Sequence, residues 1–167
     1  VEVNMQIKEV FSPPQIIAVQ KLAHEIWNEY YPAIISQEQI DYMLETFQTS
    51  KAILQQIQEG YFYFLLIKDE INIGYMSIKK MQNTLFISKL YIHKDAREQG
   101  YAKEAVRFLK NYAVKRSLKN LYLSVNKNNQ VAIKTYESLF FKRIGSLIDD
   151  IGHGFIMDDF RYELQLA

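Results

Sequence analysis

The 167-residue chain contains no cysteine, which excludes a disulfide scaffold, a thiolate nucleophile and any cysteine-held metal site. Three prolines and six glycines leave little of the punctuation that marks linkers, and no low-complexity tract or fixed-period repeat is present. No apolar run approaches the roughly 18 residues of a membrane-spanning helix. Neither sign of charge dominates: 20 Lys and Arg against 19 Asp and Glu give a net charge of +1, so nothing points electrostatically to nucleic acid or a membrane surface. His24, His93 and His153 are scattered with no i, i+4 pair, and no metal is expected. Val1-Glu2-Val3-Asn4 lacks the basic-then-apolar pattern of an export leader, which makes the cytoplasm the expected compartment.

What the chain has is apolar bulk, 49% of its residues, with 12 Tyr and 10 Phe. At this length that suits one domain, residues 1–167, burying roughly 70% of its unfolded surface. After a first strand within Met5 to Phe11, Ser12-Pro13-Pro14-Gln15 has the form of a capping box with Pro at the first helical position, and Phe11 and Ile16 stand at staple spacing. Ile16, Val19, Ala23, Ile26, Trp27 and Tyr30 form a helical stripe that stops before Pro32. Ser36-Gln37-Glu38-Gln39 repeats the cap logic ahead of a second helix, and residues 51–59 allow a further short one.

Tyr61 to Ile67 is continuously apolar and aromatic, the pattern of a strand covered on both faces. Ile71–Lys79 and Thr84–Ile92 complete an antiparallel meander, with turns at Lys68-Asp69-Glu70 and Met81-Gln82-Asn83. From Gly100 a second apolar stripe, Ala102, Ala105, Val106, Leu109, Tyr112 and Ala113, predicts a helix of about four turns. A short strand over 121–125, a helix capped by Asn128 or Asn129, and strands near 141–149 and 155–166 around Gly152-His153-Gly154 close the chain. The order is β-α-α-β-β-β-α-β-α-β-β, a mixed α/β fold on a largely antiparallel sheet. Exposed aromatics and a C-terminal edge strand raise a homodimer as an option.

The segment that carries chemistry is Arg97-Glu98-Gln99-Gly100-Tyr101-Ala102-Lys103, between the third meander strand and the long helix. A loop ending in Gly-x-Ala as a helix begins lets the backbone approach a ligand closely. It also directs unpaired N–H groups outward where the helix dipole favours an anion, the requirements of a pyrophosphate cradle. Asn129 and Tyr136 lie seven residues apart, two helical turns, and project from one face.

Taken together, the strand, the Arg97-x-x-Gly100-x-Ala102 loop, the helix, and Asn129 with Tyr136 resemble the GCN5-related N-acetyltransferases (GNAT), with the element order matching from end to end. Ile34 to Leu44 and Gly152 to Phe160 further resemble the bacterial PaiA-type spermidine/spermine acetyltransferases. The resemblance implies a twisted sheet of about seven strands, acetyl-CoA as cosubstrate, and acetyl transfer to a primary amine, with a small polycation as acceptor. It assigns the pyrophosphate to the N–H groups of Glu98, Gln99, Gly100, Tyr101 and Ala102, with Arg97 or Lys103 nearby. The pantetheine arm and acetyl carbonyl fall to the main chain of Leu90, Tyr91 and Ile92 where two strands splay. Asn129 becomes a cofactor contact and Tyr136 the acid that protonates the departing thiolate.

Asp158 and Asp159, next to Asp149 and Asp150 across the hairpin, form the densest acidic group and are candidates for a polyammonium substrate. Trp27, Tyr30 and Tyr31 are secondary candidates through their aromatic faces. Two departures from the family pattern stand out: Phe140 occupies a usual glycine position, and Thr84–Ile92 holds no carboxylate to serve as base. Another amine acceptor (a peptide N-terminus, an amino sugar, an antibiotic) and a non-catalytic CoA-binding regulatory module are the alternative readings.

Overall fold

The computed structural model describes residues 4–166; Val1, Glu2 and Val3, part of the stretch read for an export leader, lie outside the described residues. In chain order the elements are β1 (Gln6–Glu9), α1 (Pro13–Tyr30), α2 (Gln37–Phe47), α3 (Ser50–Gln58), β2 (Tyr61–Lys68), β3 (Ile71–Met81), β4 (Thr84–Ile92), α4 (Tyr101–Lys115), β5 (Asn120–Asn126), α5 (Gln130–Ser138), β6 (Lys142–Gly152) and β7 (Phe155–Gln165). The further short helix allowed over residues 51–59 forms, as α3. Three helices precede β2, because Thr49 caps a separate α3 by accepting from the Ala52 N–H at 3.1 Å.

The caps explain the helix boundaries. Ser12 and Gln15 close the expected box: the Ser12 hydroxyl accepts from the Gln15 N–H, and Gln15 Oε1 accepts from the Ser12 N–H at 3.0 Å. The staple does not form, since Phe11 is 79% exposed. Ser36 caps α2, but the Gln39 side chain turns away and donates to the Ile156 carbonyl at 3.0 Å, tying α2 to β7.

Seven strands make one sheet in the order β1-β2-β3-β4-β5-β7-β6, the mostly antiparallel α/β arrangement that was expected. The C-terminal strand is not an edge: β7 inserts between β5 and β6, and β6 takes the edge. Apolar side chains fill both faces. On one face Val106 and Leu109 of α4 pack with Leu85 and Leu121 of the sheet, and on the other Ile26, Ile40 and Ile53 of α1–α3 pack with Tyr63 and Tyr75. The phenols of that second core are satisfied internally, Tyr75 donating to Gln48 Oε1 at 2.6 Å and Gln48 Nε2 donating to Tyr63 at 3.1 Å.

One irregularity creates the site. β4 and β5 are the only parallel neighbours, and they pair only at Thr84–Asn120, Leu85–Leu121 and Phe86–Tyr122. Just beyond, Ser88 bulges out of the β3–β4 ladder, with Ile78 opposite Ile87 and Ser77 opposite Lys89. The bulge bends β4 and reverses its inside-outside alternation. Leu85 and Ile87 sit under α4, whereas Tyr91 packs on the α1–α3 side.

Candidate active site

Where the β4–β5 pairing stops, a cavity of about 120 Å³ opens through the sheet. Ile87 to Tyr91 line one wall and Leu123 to Asn126 the other. Asn129 and Tyr136 of α5 close it on one side, and Tyr31, Met43 and Asp159 on the α1–α3 side. Main-chain groups of β4 beyond Phe86 that would have continued the ladder to β5 face this opening, the place expected for a pantetheine arm against Leu90, Tyr91 and Ile92.

The phosphate-cradle geometry stands beside it. Gly100 caps α4 from a left-handed conformation (φ 87°) and makes no side-chain cap, and Glu98 is left-handed as well (φ 62°). The N–H groups of residues 98–103 find no acceptor among the described residues. They form a row of donors at the positive end of a 15-residue helix. Those donors fit a pyrophosphate.

The side chains of this loop have other partners. Arg97 donates from Nε to the Ile92 carbonyl at 3.0 Å and pairs with Glu29 at 2.7 Å. Its guanidinium also lies over the Tyr30 ring. Arg97 thus latches the loop to α1, and the backbone is left to meet an anion. Gln99 reaches back to the Asp95 carbonyl at 3.2 Å. Tyr101 is core, Ala102 half-buried and Lys103 exposed.

Asn129 is buried and its Oδ1 has two donors, the Ala132 N–H at 3.2 Å and the Tyr30 hydroxyl. Tyr31 and Tyr91 share a hydrogen bond of 2.8 Å. Burial pushes the Tyr31 phenol up to about 12 and the Tyr91 phenol well above its usual value. Tyr136 faces the same cavity with its hydroxyl unbonded to other described side chains; burial, then the phenols of Tyr31 and Tyr30, hold it in the protonated form.

The other candidates separate. Trp27 is 2% exposed and stands behind Tyr31 and Tyr91, off the cavity wall. Tyr30 acts through Asn129 rather than lining the cavity. Asp158 pairs with Lys127 at 2.9 Å and points away. Asp159 does reach the cavity, 6% exposed, with Oδ1 lacking a partner among the described residues. Burial first, then Asp158 and Asp149, raise its carboxyl to about 6. A residue that sequence reading passed over is Lys89, which lines the same cavity. Its only signal was a cation inside an apolar strand.

The model of the acetyltransferase (GNAT) family matches residues 21–141, which hold the phosphate-cradle loop and every residue lining the cavity except Met157 and Asp159. The chain belongs to the GNAT family. It is therefore an acetyl-CoA-dependent N-acetyltransferase.

No curated protein matches the sequence, but solved GNAT folds superpose on it. The PaiA N-acetyltransferase of Thermoplasma acidophilum, solved with coenzyme A, is 18% identical, with a TM-score of 0.80 over 98% of this chain and 99% of its own. A GCN5-related N-acetyltransferase from Rhodopseudomonas palustris gives 0.83 at 13% identity, covering 99% and 98%. The ribosomal-protein-S18-alanine N-acetyltransferase of Escherichia coli gives 0.72 at 16%, covering 98% and 95%. At such identities the likeness shows the fold alone. Among the described residues no helix is long and apolar enough to cross a membrane, and no group of three or more His, Cys, Asp or Glu could hold a metal.

Proposed function

We propose that this GNAT protein moves the acetyl group of acetyl-CoA directly onto a primary amine of a small polycation such as spermidine or spermine, in the cytoplasm. The observation that carries the reading is the through-sheet cavity. It has Tyr136 of α5 on one side and Asp159 on the α1–α3 side, with the phosphate-cradle loop following β4 outside its lining, so donor and acceptor can meet from opposite faces.

In this reading the N–H groups of residues 98–103 hold the pyrophosphate. Main-chain groups of Leu90, Tyr91 and Ile92 align the pantetheine arm and thioester, and Asn129 is a further cofactor contact. An amine of pKa near 10 is only about one part in a thousand neutral at pH 7, so a proton must leave before attack. Asp159 receives the ammonium: ionised above about pH 6 and without another partner, it binds the cation and takes up or passes on its proton. The neutral nitrogen attacks the thioester carbonyl, the C–N bond forms, the C–S bond breaks, Tyr136 delivers its proton to sulfur, and the second proton lost from the nitrogen restores the phenol. With no cysteine in the chain, an acyl-cysteine route is excluded.

The polycation rests on Asp159, the one carboxylate among the described residues lining the cavity, and on the PaiA-type resemblance. A carboxylate on β7 fills the place of the base missing from β4, which favours an enzyme over a non-catalytic CoA-binding module. Release of free thiol from acetyl-CoA over a panel of spermidine, spermine, a peptide N-terminus, an amino sugar and an aminoglycoside tests the proposal. Polyamine turnover supports it, turnover of another member replaces the acceptor, and coenzyme A binding with no turnover overturns it.

A further inference from the structure

Among the described residues lining the cavity, Lys89 is the only cation and Asp159 the only anion. They do not pair: no ion pair within 4.0 Å includes Lys89. Its ammonium donates only to the neutral Ser88 hydroxyl, at 3.1 Å. The sheet order explains the separation. β5 lies between β4 and β7, so strand spacing alone sets their backbones about 10 Å apart, before the splay widens the gap.

Lys89 is half-buried, and an ammonium partly withdrawn from water with no counter-ion favours the arrival of an anion. Burial lowers the Lys89 ammonium to about 8, the direction expected of a cation lacking a carboxylate beside it. The Ser88 bulge turns Lys89 onto the same side of the sheet as Tyr91. That places it next to the main chain proposed to hold the thioester and on the side open to the acceptor. In the ground state a plain acetyl group and a plain amine bring no negative charge to this point; only the transient oxyanion of the transfer does.

We infer that Lys89 forms a carboxylate subsite of the transfer cavity, so that one reactant carries a carboxylate near its reacting centre. Two sources fit this chemistry. The donor can be an acyl-CoA thioester with a carboxylate at the far end of its acyl chain, or the acceptor can be an amino acid bound by Asp159 through its amine and by Lys89 through its carboxylate. The inference rests on acyl transfer within this cavity and not on the polyamine reading. A dicarboxylic acyl donor is compatible with a polycation acceptor, whereas an amino-acid acceptor replaces it.

The test compares reactants that differ by one carboxylate in the wild type and in Lys89→Met. The acceptor arm pairs ornithine with putrescine and lysine with cadaverine under acetyl-CoA; the donor arm pairs succinyl-CoA with acetyl-CoA on one fixed amine. In one arm the wild type favours the carboxylate-bearing reactant at least tenfold in kcat/KM, and Lys89→Met brings that ratio to near one. No preference in either arm, or a preference that survives Lys89→Met, overturns the inference.

A second readout is independent of turnover, and so separates failure of the proposed acceptor from failure of this subsite. The Lys89 side-chain resonance, identified by its loss in Lys89→Met, is titrated with and without saturating ornithine or succinyl-CoA. A carboxylate at Lys89 raises its pKa by about one unit. An unchanged value with both ligands sinks the assignment even where no amine is turned over.

Discussion

The Tyr30 hydroxyl donates to the same Asn129 oxygen that caps α5, so the last residue of α1 and the first turn of α5 are joined through a single atom. Asn129→Ala removes the cap, worth about 1 kcal/mol, and strands the Tyr30 hydroxyl at a further cost of about 1–3 kcal/mol. The expected result is a fall in melting temperature of roughly 5–10 °C by calorimetry. Asn129→Asp retains both acceptor roles and recovers most of it.

Tyr136→Phe is expected to lower kcat about a hundredfold while KM moves little, measured by thiol release at saturating acetyl-CoA. Because the Tyr136 hydroxyl has no hydrogen-bond partner among the described residues, the variant loses no bond described there and should melt with the wild type. Equal turnover in the two proteins would remove Tyr136 from the chemistry.

Asp159 opposes stability where it serves function. Its folded pKa of about 6 lies above that of a free aspartate, about 4, so the folded state binds the extra proton between those values. The group costs nothing below about pH 4, and stability is lost as pH rises through 6, by an amount on the order of a few kcal/mol. Asp159→Asn should therefore melt higher than the wild type at pH 7.5, with the difference closing at pH 4. Its KM for the amine should rise severalfold. Asp158→Asn, whose carboxylate is already paired with Lys127, should leave KM nearly unchanged.

Phe140 sits at φ 72° and is 78% exposed, one residue past the cap of α5. Phe140 donates to the Glu137 carbonyl and Phe141 to that of Tyr136, the bonding of a Schellman turn that normally takes glycine. The substitution noticed in the sequence therefore leaves the turn intact and strains it. Phe140→Gly should raise stability by about 1 kcal/mol in denaturant unfolding, with kcat unaltered.

The fold was legible wherever local chemistry fixes it. Ser12 with Gln15 and Ser36 announce their helices, and the run from Tyr61 to Ile67 announces a buried strand. The loop ending at Gly100 was legible too, since a left-handed helix entry leaves a sequence trace. What escaped was set by long-range geometry. A period-2 reading carried through Leu85 and Ile87 puts Lys89 and Tyr91 under α4, and only the unmarked bulge at Ser88 sends them to the other face. Arg97 was read as a phosphate ligand from its place in the motif, but Glu29, 68 positions earlier in the chain, claims its guanidinium. Asp158 and Asp159 look equivalent in sequence, and strand alternation alone separates the paired surface carboxylate from the one in the cavity.

The brief parallel seam between β4 and β5 also divides the sheet mechanically. β1 to β4 form one antiparallel block and β5, β7 and β6 another, with three register pairs at one end joining them. A ligand spanning the gap supplies the cross-strand bonds that the sheet leaves unmade there. A cosubstrate proposed to sit there would act as a removable eighth strand segment, and the two blocks are expected to exchange amide hydrogens as separate units without it and more slowly with it.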